Sequence, residues 1–131
     1  TFPSEETLDG AGDVARGAEL FRINCAMCHN VAAAGGALTE GKYGPSITET
    51  SARHMYEAMI TCPQQMPVFG DTLTPEDKRD IIAFVYSIRE EPNPGGLGIG
   101  RGGPVNEGLW GWIVGICGLI GFAVWIGAKA S

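Results

Sequence analysis

Cys25, Ala26, Met27, Cys28 and His29 follow one another near the start of this 131-residue chain. Two thiols separated by two residues lie about one helical turn apart, so each can add to one vinyl group of a single porphyrin. The imidazole that follows is then held against the iron as an axial ligand. This is the attachment pattern of a c-type haem, and its chemistry is one-electron transfer.

Two other chemistries use a Cys-x-x-Cys pair. A redox dithiol belongs beside a βαβ pattern, and no alternating apolar run suggests strands here. A structural zinc site needs two more ligands at short spacing, whereas Cys62, Cys117 and His54 are scattered. Neither alternative uses His29.

The elements that must position the motif are helical. Asp13 has the side chain of an N-cap, and Val14, Gly17, Ala18 and Phe21 recur at three- and four-residue spacing up to the cysteines. Residues 30–49 hold Gly35, Gly36, Gly41, Gly44 and Pro45 and read as an irregular loop. Thr50 or Ser51 caps a short helix through Ile60, where Met55 and Met59 share a face and read as core packed on the haem. Pro63 and Pro67 then bound a non-helical loop containing Met66.

Thr74-Pro75-Glu76-Asp77 is a helix start, with a capping hydroxyl, a first-turn proline and acids at the positive end of the dipole. That helix is expected to run to about Ile88. Its stripe of Ile81, Phe84, Val85 and Ile88 calls for a partner, and Lys78, Arg79 and Asp80 are expected to face water. The Val14, Gly17 and Phe21 face of the first helix is the candidate partner, with Gly17 permitting close approach.

Residues 92–104 contain six glycines and three prolines and read as a flexible tether, spanning on the order of 20 Å. Gly108 to Ala128 is a run of 21 uncharged residues, about 31 Å as a helix, which matches a bilayer's hydrocarbon core. Trp110 and Trp112 at one end, and Trp125 with Lys129 at the other, sit where interfacial anchors belong. Gly111, Gly115 and Gly118 share a face that a neighbouring helix could approach closely.

Formal charge is −6, from 15 acidic and 9 basic residues, so nucleic acid is not an expected partner. Residues 1–12 read as a polar tail or linker. The chain opens at Thr1 without a secretory signal, as expected of a processed or incomplete chain. Only one small domain fits before the tether, and a domain of that size needs a staple such as a covalent haem. Cys62 reads as a buried small side chain, a free thiol or half of a disulfide, and is not expected to meet Cys117.

A helix ending in Cys-x-x-Cys-His, then a Gly-Pro loop, a Met-Pro loop and a final amphipathic helix resembles, in that order, a class I cytochrome c over residues 13–90. The resemblance implies an all-α fold: a small class I cytochrome c haem domain, a tether over 91–107, a single transmembrane helix over 108–128 and a cytoplasmic end at 129–131. It implies Cys25 and Cys28 as the covalent attachment, His29 and Met66 as axial iron ligands, and the Pro45 carbonyl as the group orienting the His29 ring. Gly17 and Phe21 resemble the family's helix-crossing pair, with Phe84 opposite. Tyr43, Ile47, Met55, Met59, Pro67 and Phe69 are the other expected haem contacts, and Val68 is an expected shield of its edge. His54 and an open coordination site are the alternatives to Met66.

Gly-Ala-Glu-Leu-Phe-Arg-Ile-Asn-Cys from Gly17, Gln-Met-Pro-Val-Phe from Gln65, and the tether into a C-terminal span are similar to the second haem domain and anchor of the actinobacterial cytochrome cc subunit of cytochrome bcc complexes. That family carries two haems, whereas this chain has one Cys-x-x-Cys-His, so the second would belong to an N-terminal domain absent here. The resemblance implies a carrier subunit of a menaquinol–cytochrome c reductase, with cytochrome b and a Rieske iron–sulfur protein as partners. It further implies a terminal oxidase in a supercomplex and a bacterial plasma membrane setting, with the haem domain outside and the C-terminus cytoplasmic. A cytochrome subunit of a terminal oxidase or nitric oxide reductase is the alternative, and a haem peroxidase is a third class.

Overall fold

A computed structural model of the chain describes residues 8, 12–91, 99, 101 and 104–130. Most of the expected tail and tether lies outside the described residues. Leu8 is an exception, with a fully buried side chain in the core cluster, where the sequence suggested only a polar tail.

Helix α1 is Val14–Asn24, begun as expected by Asp13, whose carboxylate accepts from the Ala15 and Arg16 amides. Cys25 closes it, and a single turn, α2, follows over Ala26–His29. The loop after α2 is more ordered than its glycines suggested. Gly36–Ala37 (β1) and Tyr43–Gly44 (β2) pair antiparallel, Gly36 opposite Gly44, so a two-residue ladder closes the segment read as irregular. Helix α3 spans Ala52–Thr61, capped by Ser51, and α4 spans Pro75–Glu90 with a full Thr74–Asp77 capping box.

The crossing of α1 on α4 is the frame of the domain. Gly17 is buried at the crossing, and a Cβ there would run into the Asp80 carbonyl. Phe21 is fully buried and meets Phe84 with ring centroids 5.3 Å apart and planes tilted by 51°. Ile82 and Val85 are also fully buried. Burying each such side chain stabilises the fold by about 1.5–3 kcal/mol. Val14, expected on this face, is instead 43% exposed at the end of the contact.

Two of the three residues expected to face water on α4 do not. Lys78 is 3% and Asp80 8% exposed. Asp80 is buried because it ties the start of α1 down: its Oδ1 accepts from the Asp13 amide at 2.8 Å, and Oδ2 lies 3.4 Å from Arg16 Nε. Lys78 donates to the Gly70 and Leu73 carbonyls. Helical periodicity places these residues beside the apolar stripe but does not reveal that backbone groups would cover them.

At the far end of α4, Arg89 donates through Nη2 to the carbonyls of Ile47 and Thr50 and stacks over Tyr86 at 4.3 Å. Tyr86 Oη in turn accepts from the Ala52 amide. Helix α4 therefore holds the loops on both sides of α3. The last helix, α5, is Pro104–Lys129, of which Val105–Lys129 is long and apolar enough to cross a membrane, with a mean hydropathy of 2.0 and no part of that apolar window buried.

Candidate functional site

Between α1, α2, the β1–β2 loop, α3 and the Pro63–Phe69 loop lies one cavity of about 800 Å3, within the range of cofactor sites. All eleven residues expected at the site line it: Cys25, Cys28 and His29; Tyr43, Pro45 and Ile47; Met55 and Met59; Met66, Pro67 and Phe69. They come from four separate segments. Met27, inside the motif, is 77% exposed and is not part of the wall.

The α1–α2 junction aims the motif. Cys25 is 7% exposed and Cys28 half-buried, and the backbone bond from His29 N–H to the Cys25 carbonyl, 2.9 Å, sets the imidazole one turn after the first thiol. His29 Nδ1 donates to the Pro45 carbonyl at 2.8 Å, which fixes the tautomer and leaves Nε2 with its lone pair. Pro45 is held there by β2: Gly44 packs so closely on Cys28 that any Cβ would overlap the Cys28 carbonyl oxygen. The glycine is thus required by a backbone-on-backbone approach.

Elsewhere on the wall, Met55 and Met59 are buried on α3, while Met66 is half-buried in its loop. The Met66 amide donates to the Pro63 carbonyl at 3.2 Å, and Gln64 turns the chain with a positive φ of 57°. Phe69 is buried against the core and part of the wall, whereas Val68, expected to shield the edge, is 68% exposed and outside the wall. His54, the alternative ligand, also lines the cavity from an exposed position on α3.

Sequence reasoning missed Leu38, Lys42 and Ala58 among the wall residues. Ala58 could have been found, since it lies three residues after Met55 and next to Met59. Leu38 and Lys42 could not, because only the β1–β2 pairing brings them to the cavity.

Burial, with a smaller contribution from neighbouring Cys28, pushes the Cys25 thiol up to about 11. A catalytic dithiol requires the opposite shift, so the redox-dithiol alternative has no support here. Among the described residues no three His, Cys, Asp or Glu side chains gather as a metal cage, which the zinc alternative needs. Two thiols at one edge, an imidazole with Nδ1 engaged and Nε2 free, a thioether and largely apolar walls fit a covalently held haem.

Relatives of known name agree with this chemistry. The chain is 50% identical to the cytochrome bc1 complex cytochrome c subunit of Corynebacterium efficiens over 90% of its own length and 40% of that protein's. Against the subunit of the same name in Mycobacterium tuberculosis strain H37Rv it is 46% identical, over 90% of the chain and 42% of the relative. The chain therefore spans about two fifths of the curated relatives it matches. The cbb3-type cytochrome c oxidase subunit FixP of Rhizobium meliloti is 38% identical over 61% of the chain and 32% of the relative. Residues 12–85, more than half of the chain and the whole of the wall just described, match the family model described as cytochrome C oxidase, cbb3-type, subunit III. The chain belongs to that family of cytochrome c domains, whose fold implies haem c.

Proposed function

We propose that this chain is the haem-bearing, membrane-anchored portion of an electron-transfer subunit in a respiratory quinol–cytochrome c reductase of the bcc type. The observation that carries the proposal is that Cys25, Cys28, a Pro45-oriented His29 and Met66 all line one cavity. Cys25 and Cys28 each form a thioether to one haem c. His29 Nε2 and the Met66 sulfur are the two groups that would hold its iron. When bound, the haem supplies a one-electron ferric–ferrous couple whose potential is raised by thioether relative to bis-imidazole ligation. With His29 and Met66 both holding the iron, oxygen and peroxide would find no open position, which disfavours the peroxidase class. Met55, Met59 and Phe69 keep water from the buried side, and Tyr43, Ile47 and Pro67 complete the wall.

Within the complex, electrons pass from a Rieske iron–sulfur protein, beside cytochrome b, toward a terminal oxidase. A second haem c would belong to a further, N-terminal domain outside this sequence. Helix α5 anchors the head to the bacterial plasma membrane, with the head outside and Lys129 on the cytoplasmic side, in keeping with the positive-inside tendency. The anchor makes the encounter with partners intramolecular, so affinity need not be high. The chain is a carrier, and catalysis belongs to the complex.

A cytochrome subunit of a cbb3-type terminal oxidase is the second reading, favoured by the family model's description and by the FixP resemblance. Identity supports the first reading: 50% over 90% of the chain, into the anchor, against 38% over 61%. Affinity purification of the membrane complex tests this choice. Co-purifying b-type haem and a Rieske centre are the expected result; haem–copper subunits without them would establish the oxidase reading instead.

A further inference from the structure

Lys78 is the most deeply buried cationic side chain among the described residues whose burial is stated, at 3% exposed. Its Nζ donates to the Leu73 carbonyl at 2.6 Å and to the Gly70 carbonyl at 3.0 Å. Among the described residues, none of the ion pairs involves it. A buried ammonium is costly unless its protons are met, so the backbone of residues 70–73 must stay folded over it. Those residues continue directly from Met66-Pro67-Val68-Phe69, and the Leu73 amide closes back on the Phe69 carbonyl at 3.3 Å. At the segment's start the Met66 amide donates to the Pro63 carbonyl at 3.2 Å, and Phe69 and Leu73 are buried in the core.

We infer that Lys78 is a positioning residue for the Met66 loop: from the first turns of α4 it clamps the two carbonyls that end the loop, and so holds the Met66 sulfur at the iron. This rests on the ligand role proposed for Met66. Loops of this length open locally at much lower free energy than the domain unfolds, and a thioether is a weak ligand that leaves when its loop does. A hydrogen bond to a charged group typically changes such an opening equilibrium by roughly tenfold or more. Neither carbonyl belongs to the cavity wall, which is why the cation acts through the loop and not on the haem.

The test compares the holo-protein with Lys78→Met, which keeps the length and apolar stem but removes the donors, and with Val85→Ala, a buried core truncation away from the wall. Three readouts are taken: the long-wavelength thioether-to-ferric charge-transfer band, the rate of imidazole binding to the ferric protein, and amide exchange at Met66 and Leu73. Lys78→Met is expected to weaken the band and to speed both imidazole binding and exchange at these two amides by roughly tenfold. Val85→Ala lowers global stability but leaves all three within a few-fold of wild type. Unchanged band, binding and exchange in Lys78→Met would overturn the inference while leaving Met66 as the ligand. Equal acceleration in Val85→Ala would also overturn it, by showing a general loss of stability. Absence of the band in the wild-type protein would refute the Met66 ligand itself; local exchange then still decides whether Lys78 holds the loop. Should Lys78→Met fail to accumulate as holo-protein, Lys78→Leu, which also lacks a donor, replaces it, with the same outcomes read the same way.

Discussion

His29 and Met66 differ in how firmly the chain holds them. The imidazole is fixed by a 2.8 Å bond to Pro45, itself seated by the glycine contact at Cys28, whereas Met66 depends on its loop. Replacing Met66 by Ala is therefore expected to abolish the thioether charge-transfer band, admit cyanide and lower the potential, with far-ultraviolet dichroism unchanged. A Met66→Ala protein that keeps the band would assign the ligand elsewhere, His54 being next in line on the wall. Replacing Gly44 by Ala forces a Cβ into the Cys28 carbonyl, so a loss of about 1–3 kcal/mol in stability and a lower holo yield are expected on thermal unfolding. Residue by residue the lining of the candidate site was legible because the motif is compressed into five adjacent positions and Met66 lies between two prolines. Lys78 and Asp80 were not legible, since their burial depends on backbone carbonyls and an amide contributed from far along the chain.

Helix α4 does more than complete a helix pair. Its N-terminal turn binds Arg16 of α1 through Asp77 at 2.6 Å, and its C-terminal turn holds the loop that carries Pro45 through Arg89. The Arg16 side-chain hydrogen bond and the Thr74 backbone amide hold the Asp77 carboxyl below the usual carboxylate range. A lowered folded-state pKa contributes stability that is present above the ordinary value near 4 and is lost as pH falls through the lowered one. Asp77→Asn should accordingly flatten the acid limb of the stability curve measured by denaturant titration between pH 5 and pH 2; an unchanged limb would contradict this. Thr74→Ala removes the other half of the capping box and is expected to cost about 1 kcal/mol by the same titration. Helix starts and faces could be read from Asp13, Ser51 and Thr74 because capping and 3.6-residue periodicity are local. The β1–β2 ladder could not, since a two-residue pairing has no periodicity to detect.

At the scale of the molecule, a cavity that fits a haem and a 26-residue apolar helix belong to one chain, and residues 92–104 join them in sequence. Arg101 donates to the Ile88 and Glu91 carbonyls at the end of α4, so the chain is tied to the head at Arg101, three residues before α5 begins. A chain cut after Glu91 is expected to remain in the aqueous phase on membrane fractionation with its haem spectrum intact, while the whole chain requires detergent. Overall architecture was legible because a run of 21 uncharged residues and a glycine-rich stretch are features of composition alone. The measurement that bears most directly on the whole is the intact mass of the chain after denaturation and extraction with acidified acetone, expressed in a host competent for cytochrome maturation. One haem is expected to stay bonded through Cys25 and Cys28, with the colour remaining in the protein fraction and the mass raised by a single macrocycle. Colour passing into the solvent, with the polypeptide at its bare mass, would contradict it.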